Sequence, residues 1–413
     1  MSCNKKLEEL FQEIDQSTND IINMQKMLTA IPAIAPESGG KGEYEKACAL
    51  MDWLEQNGFE NIETRNAPDH RVPSGERSNV IAAIPGSNPG RGGSFWIMSH
   101  LDVVPPGEMS GWVSEPFELR IEDDRLYGRG VEDNQQGLVS SVIAAKALMN
   151  RGITPSRDIK LLFVADEETG SVFGIQHLLK ESDLFKEGDV FLVPDAGNSE
   201  GTMIEIAEKN ALWLKFIVQG KQVHASTPDR GVNAFIAGSA LVLRMKNLQK
   251  LFPQENNLFN PSFSTFSPTK KERNVPNINT IPGEDVFYMD CRIIPAVDTN
   301  DVLDLIRKEE SAVESEYGVT IKHEIIHRVE SSPTPEDSVI VQRLKESLKS
   351  LRQKEGKPTG IGGGTVAAYL RNAGYDTVVW ATLDSAAHQE NEYCRLSNLI
   401  EDAKIMAELM VRL

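Results

Sequence analysis

At 413 residues the chain is long enough for two domains, each able to bury its own core. Its composition is that of an ordinary globular protein, 40% hydrophobic and 25% charged, with Gly and Pro scattered rather than clustered. The formal net charge of -18 argues against nucleic acid or an anionic membrane surface as the main partner, and it sets a field that attracts cations.

Residues 4–30 carry Leu7, Leu10, Phe11, Ile14, Ile21, Ile22, Met24, Met27 and Leu28 at helical spacing, which predicts one or two amphipathic helices. Pro32 and Pro36 end them, because proline cannot continue the hydrogen-bond ladder. Residues 42–57 read as a further helix stopped at Gly58, and strands follow at 78–84 and 93–101. A hairpin over 117–130, turning at Glu122-Asp123-Asp124, delivers the chain to Gly128-Arg129-Gly130-Val131-Glu132-Asp133. Residues 135–150 are helical by pattern, 159–165 form a continuous apolar strand, 171–181 a helix, and 190–193 a strand. Strands alternating with helices indicate a mixed, mainly parallel α/β sheet with helices on both faces.

The texture changes near residue 210. Strand 212–218, helix 231–249, strand 285–293, helix 300–314 and strand 319–326 suit an inserted α+β domain with one helical face. After the Pro-containing hinge Ser331-Ser332-Pro333-Thr334-Pro335 the α/β texture returns, with helix 336–354, the run Gly360 to Thr365, strand 377–381 and a final helix at 396–413. The expected domains are therefore 1–209 with 332–413 for catalysis and 210–331 for the insertion. Cys3, Cys48, Cys291 and Cys394 are far apart and form no CxxC pair, which fits a reducing, cytoplasmic setting. The acidic N-terminus reads as no signal peptide, and no apolar run approaches the roughly 18 residues a membrane span needs.

Polar residues at the C-terminal ends of strands are where an open α/β sheet builds its site. His100, Asp133, Glu168, Asp195 and His388 stand out as candidate metal ligands, and most of them directly follow predicted strands. Two imidazoles with three carboxylates suit zinc, cobalt or manganese. Five protein ligands exceed the roughly three of one open catalytic zinc and suit two ions that share a bridging carboxylate and hydroxide. The chemistry expected of such a pair is hydrolysis of an amide bond. Asp102 lies two residues after His100, so on an extended strand both side chains share a face and the acid can orient the imidazole. Glu167, adjacent to Glu168 and free of the metals, suits the general acid/base. Taken alone, Asp166-Glu167-Glu168 could equally be a solvated acidic turn capping a helix. The run from Gly360 to Thr365 lacks the Lys-Ser/Thr ending of a phosphate loop, so Gly363, Gly364 and Thr365 are expected to turn backbone N–H groups toward substrate. His70, His177, His323 and His327 lie outside every motif and read as ordinary histidines.

The segments His100-Leu101-Asp102-Val103-Val104-Pro105, Gly128-Arg129-Gly130 with Asp133, Asp166-Glu167-Glu168-Thr169-Gly170, Pro194-Asp195 and Ala387-His388-Gln389-Glu390-Asn391-Glu392 together resemble the di-zinc metallopeptidase family. That family includes glutamate carboxypeptidase, aminoacylase, acetylornithine deacetylase, succinyl-diaminopimelate desuccinylase, tripeptidase and carnosinase-type dipeptidases. The resemblance implies a zinc-exopeptidase type catalytic domain and a ferredoxin-like lid that forms a homodimer. It implies that His100, Glu168, Asp195 and His388 bind two zinc ions bridged by Asp133, and that a metal-bridging hydroxide attacks the substrate. It also implies that His224, in the lid, stabilises the oxyanion in its own or a partner's site, and that Asn279 and Arg292 contact substrate; Arg292 reads equally as a structural ion-pair partner. Asn134-Gln135-Gln136-Gly137 and Thr365-Val366 depart from common family patterns. Within the family an aspartate at position 195 resembles the amino-, di- and tripeptidases, so a small peptide is the expected substrate, with an N-acyl amino acid as the alternative. A remoter reading is an inactive, peptide-binding relative. A nucleotide-dependent enzyme would need a phosphate loop at the first βα turn, and the sequence has none.

Overall fold

The computed structural model describes residues 3–88 and 92–413. It divides into two compact units, one of Met1–Ile206, Thr334–Thr359 and Tyr369–Leu413, the other of Ala207–Pro333 and Gly360–Ala368.

The larger unit is built on an eight-stranded sheet. In chain order its strands are β1 (Asn61–Thr64), β2 (Val80–Ile84), β3 (Phe95–His100), β4 (Ile159–Val164), β5 (Val190–Gly197), β6 (Met203–Glu208), β7 (Lys357–Ile361) and β8 (Asp376–Ala381). Their spatial order is β1-β2-β4-β3-β5-β8-β6-β7. The centre, β4-β3-β5-β8, is parallel, and β2 and β6 join it antiparallel on either side. Every residue of β3 is buried, as expected of a strand covered on both faces. Helix Gln135–Asn150 packs against the central strands and is buried except at Lys146, Met149 and Asn150. Each fully buried Leu, Ile or Phe in this layer contributes about 1.5–3 kcal/mol. The helix approaches β5 so closely at Gly137 that a Cβ there would lie 2.5 Å from Pro194. That contact ties the start of the helix, and Asp133 just before it, to the strand that carries Asp195.

The smaller unit is an antiparallel sheet in the order Thr265–Lys271, Glu284–Ile293, Asn210–Gln219, Thr320–Val329. Alternate residues Leu212, Leu214 and Phe216 point into a core with Leu241, Phe287 and Ile306, where Phe216 and Phe287 stack at 4.7 Å. Helix Ala234–Met245 starts at Asn233, whose side chain accepts the N–H groups of Phe235 and Ile236. Helix Thr299–Tyr317 runs from the cap Asp298 to Gly318, which takes the left-handed conformation at φ 68.

Several elements differ from the sequence reading. The helix expected over 171–181 is helical only at Ile175–Leu178, and the one over 231–249 breaks into Ala234–Met245 and Leu248–Leu251. Among the strands the sequence reading lacks, four lie in the two main sheets. β1 is an exposed edge with little apolar content, and Thr265–Lys271 contains Pro268, which is tolerated on a sheet edge. β6 carries two buried acids, Glu205 and Glu208, and Glu205 pairs with Arg371 at 2.8 Å. β7 leads into the glycine run. Among the described residues no helix is long and apolar enough to cross a membrane. Cys48, Cys291 and Cys394 are free thiols, and the side chain of Cys3 lies outside the described residues.

Candidate metal centre

Four adjacent parallel strands end at the same edge, and each delivers ligand-capable groups there. His100 is the last residue of β3, Glu167 and Glu168 follow β4, Asp195 lies near the end of β5, and His388 is in the loop after β8. Asp133 joins them from the turn before helix Gln135–Asn150, where its peptide bond to Asn134 is cis.

Asp133 is the pivot of the arrangement. Its Oδ1 lies 2.9 Å from His100 Nε2, and its Oδ2 lies 3.0 Å from His388 Nε2. Asp195 Oδ1 stands 3.4 Å from His100 Nε2, and Glu168 Oε2 stands 3.0 Å from His388 Nε2. Two groups result, His100 with Asp133 and Asp195, and Asp133 with Glu168 and His388. In each, one ligand atom per residue lies within 4.8 Å of the others. Asp133 belongs to both. Imidazole nitrogen with carboxylate oxygen is a donor set suited to a borderline divalent cation. The two sides differ in access: the His100 side chain is 2% exposed and that of His388 54%. His70, His177, His323 and His327 belong to neither group.

The electrostatics follow from crowding acids around imidazoles. Hydrogen bonds with Asp133 and Glu168 push His388 up to about 10. Burial lowers His100, but its bonds with Asp102, Asp133 and Asp195 outweigh this and hold it well above the usual imidazole range. Burial opposes ionisation of Asp133, yet the two imidazoles keep it below the ordinary carboxylate range. Glu167 is driven well above that range, first by burial and then by the Asp195 carboxylate.

Neighbouring groups hold this geometry in place. Asp102 is buried, its backbone carbonyl lies 3.0 Å from His100 Nδ1, and its carboxylate stands 3.6 Å from the same atom. The same carboxylate accepts the backbone N–H groups of Glu167 and Glu168, each at 3.0 Å. One acid thus orients the histidine of β3 and the turn after β4. The turn begins at Asp166, which has φ 64, a conformation that persists only when its surroundings impose it. Glu43 accepts the Asp166 N–H at 3.4 Å and pairs with the fully buried Arg77 through a 2.7 Å bond. Asn134 Nδ2 donates to Asp195 Oδ1 at 2.7 Å and to the Pro194 carbonyl at 2.8 Å. Sequence reasoning assigned no role to Glu43, Arg77 or Asn134. Glu43 and Arg77 lie 34 positions apart, and no periodicity links them.

The remaining expected residues belong to the smaller unit. His224 lies on the short strand Val223–His224, which pairs with Thr280–Ile281, so His224 and Asn279 are brought close together. His224 Nδ1 is 2.8 Å from Ser226 Oγ, and Ala225 N–H donates to the Asn279 carbonyl at 2.9 Å. Arg292 makes a two-pronged contact with Asp290 at 2.9 and 3.0 Å and donates to the Gly362 carbonyl at 3.1 Å. Gly363, Gly364 and Thr365 continue that loop, which Thr365 Oγ1 fastens to Glu208 by a 2.6 Å bond.

Residues 96–412 match the family described as peptidase family M20/M25/M40. The chain is 38% identical to an uncharacterized metallohydrolase of Methanocaldococcus jannaschii over 95% of this chain and 98% of that protein. It is 25% identical to the succinyl-diaminopimelate desuccinylase of Wolinella succinogenes over 94% of this chain and 98% of that enzyme. Among solved structures, aminopeptidase PepT from Bacillus cereus superposes with a TM-score of 0.75 at 18% identity, covering 95% of this chain and 98% of that one. Human carnosine dipeptidase 1 superposes with a TM-score of 0.70, also at 18% identity, covering 98% of each chain.

Proposed function

We propose a hydrolytic function on this premise: the chain belongs to peptidase family M20/M25/M40 and is a metallohydrolase. It cleaves one amide bond in a small peptide, with two divalent cations, most simply zinc, in the centre described above. The observation that carries this reading is Asp133, whose two oxygens face opposite imidazole–carboxylate pairs. His100, Asp133 and Asp195 would hold one ion, and Asp133, Glu168 and His388 the other. When bound, such a pair lowers the pKa of water and polarises the substrate carbonyl.

The chain's own groups do the rest. Glu167 takes the proton of the attacking water and passes it to the leaving nitrogen, while Asp102 keeps His100 and the Glu167–Glu168 turn in register. His224 neutralises the developing oxyanion, and Asn279, Arg292 and the backbone of Gly363, Gly364 and Thr365 bind the rest of the substrate. Arg292 already contacts Asp290, so a substrate carboxylate would meet a partly neutralised guanidinium. The reading also includes a homodimer formed through the smaller unit and a cytoplasmic setting. Exposed Phe235, Ile236 and Leu243 along helix Ala234–Met245 support the dimer, and the scattered, free cysteines support the setting.

Peptidase activity is preferred because Asp195, rather than a glutamate, completes the His100 group. The similarity to a succinyl-diaminopimelate desuccinylase favours a second reading, an N-acyl-amino-acid deacylase. Chelator-stripped protein reloaded with zinc, cobalt or manganese should be assayed on free-amine di- and tripeptides beside N-acetyl and N-succinyl amino acids. Turnover of the free-amine peptides is expected; turnover of the acyl amino acids alone would establish the second reading. Activity that survives complete metal removal would defeat both.

A further inference from the structure

We infer that Glu132 and Glu392 form a reciprocal clasp that couples the positions of Asp133 and His388; this rests on the reading of those two residues as metal ligands. Glu132 immediately precedes Asp133, yet its carboxylate faces the other ligand's loop. It accepts the backbone N–H groups of Asp384 at 2.7 Å, of Ala386, and of Ala387 at 2.8 Å, the last being the residue before His388. Glu392 lies four residues after His388, yet it reaches back to the Asp133 turn. It accepts the N–H groups of Gly130 at 3.0 Å, Glu132 at 3.0 Å and Asp133 at 3.1 Å. Each acid therefore sits on one ligand's segment and holds the backbone of the other's.

Both side chains are buried, Glu132 at 2% and Glu392 at 0% exposure, and Arg129 donates to Glu392 at 2.6 Å. Six backbone donors converge on the two carboxylates. A buried N–H must find an acceptor, so losing either acid strands several donors at once. The held loop also needs outside support. Ser385, His388 and Asn391 adopt φ 63, 63 and 59, a left-handed conformation that non-glycine residues keep only under constraint. A loop merely satisfied by local acceptors would need no partner that is itself held by that loop. The exchange means that a shift of either segment drags the other, so Glu132 and Glu392 act as positioning residues for both ions.

The test uses the full-length chain with Glu132→Gln, Glu392→Gln and the double variant. In each, one amide NH2 replaces an oxygen that accepts backbone N–H groups. Zinc affinity is measured by competition with a chromophoric chelator, zinc content by elemental analysis, and the metal-free fold by circular dichroism. Each single variant should fold as the parent does and lose about 10–100-fold in zinc affinity. The double variant should lose little more than either single one, because the two acids serve one coupled unit. Should a Gln variant fail to fold, Glu132→Asp and Glu392→Asp keep the charge on a shorter arm, and the same non-additive loss is expected of them. Folded single variants with parental affinity, or losses that multiply in the double variant, would overturn the clasp while leaving the ligand assignment standing. A parent chain that binds no divalent ion would instead bring down the ligand assignment, and the clasp with it.

Discussion

Replacing Asp102 with asparagine separates its two tasks from mere packing, because size and shape are kept. The carboxylate gives one oxygen to Glu167 N–H and the other to Glu168 N–H, both at 3.0 Å, and the residue is 1% exposed. Asparagine keeps one acceptor and turns an NH2 group toward the second N–H. A hydrogen bond to a charged group is worth about 1.5–3 kcal/mol, and a buried N–H left without a partner costs about 1–3 kcal/mol. Allowing for the neutral bond that survives, the variant should lose about 2–4 kcal/mol, shared between folding stability and transition-state stabilisation. If most of this falls on the reaction, kcat/KM drops by about 30- to 1,000-fold, since 1.36 kcal/mol is tenfold in rate. The assay is kcat/KM of metal-loaded protein on the best substrate from the peptide panel, paired with the urea midpoint of the same preparations. An unchanged midpoint together with kcat/KM within twofold of the parent would show that Asp102 neither holds the Glu167–Glu168 turn nor orients His100 to any effect.

Glu167→Gln should keep the parental metal content while turnover falls by about 10²- to 10⁴-fold, the range for losing a general acid/base; elemental analysis beside steady-state kinetics checks this. Arg77→Met leaves Glu43, Asp69 and Asp166 facing one another in the interior, 3.6 and 3.7 Å being the present Arg77 distances to the latter two. It should destabilise the chain by about 3–5 kcal/mol in urea unfolding, and a loss below about 1 kcal/mol would contradict the assignment. The Arg71 side chain, hydrogen-bonded to Asp69, lowers that carboxyl from 3.8 to about 2. A depressed carboxylate stabilises the fold fully above its unfolded value, and this contribution is lost as pH falls from 3.8 toward about 2. Asp69→Asn should flatten that stretch of the pH–stability curve and leave neutral pH as the region of largest difference from the parent.

The central strands were readable because they are buried on both faces and so appear as unbroken apolar runs, as in Phe95 to Met98 and Ile159 to Val164. Polar groups directly after those runs stand at the C-terminal edge of the sheet, which is why His100, Glu168 and Asp195 are read as candidate ligands one strand at a time. Outer strands follow other rules. The edge strand Asn61–Thr64 is half in water, the edge strand Thr265–Lys271 carries a proline and lysines, and Met203–Glu208, one place in from the edge, buries Glu205 against the distant Arg371, so none shows the unbroken apolar run of the centre. The supporting network was harder still to see. Glu132 and Glu392 act on backbone N–H groups, as does Asp102 in holding the Glu167–Glu168 turn beyond its expected contact with His100; every residue but proline carries such a group, so the acceptors leave no mark at the positions they hold. Arg77, on the short strand Glu76–Arg77, and Glu43, the residue before helix Tyr44–Gln56, meet only because the fold brings those two segments together, a pairing set by topology rather than by spacing.

Whether Asp133 serves two ions at once is read by elemental analysis of the purified chain after reconstitution and gel filtration. Two divalent ions per parent chain and close to none in Asp133→Ala are expected, since that one side chain serves both groups. A parent that takes up one ion or none, or an Asp133→Ala variant that retains two, would contradict the shared cage around Asp133.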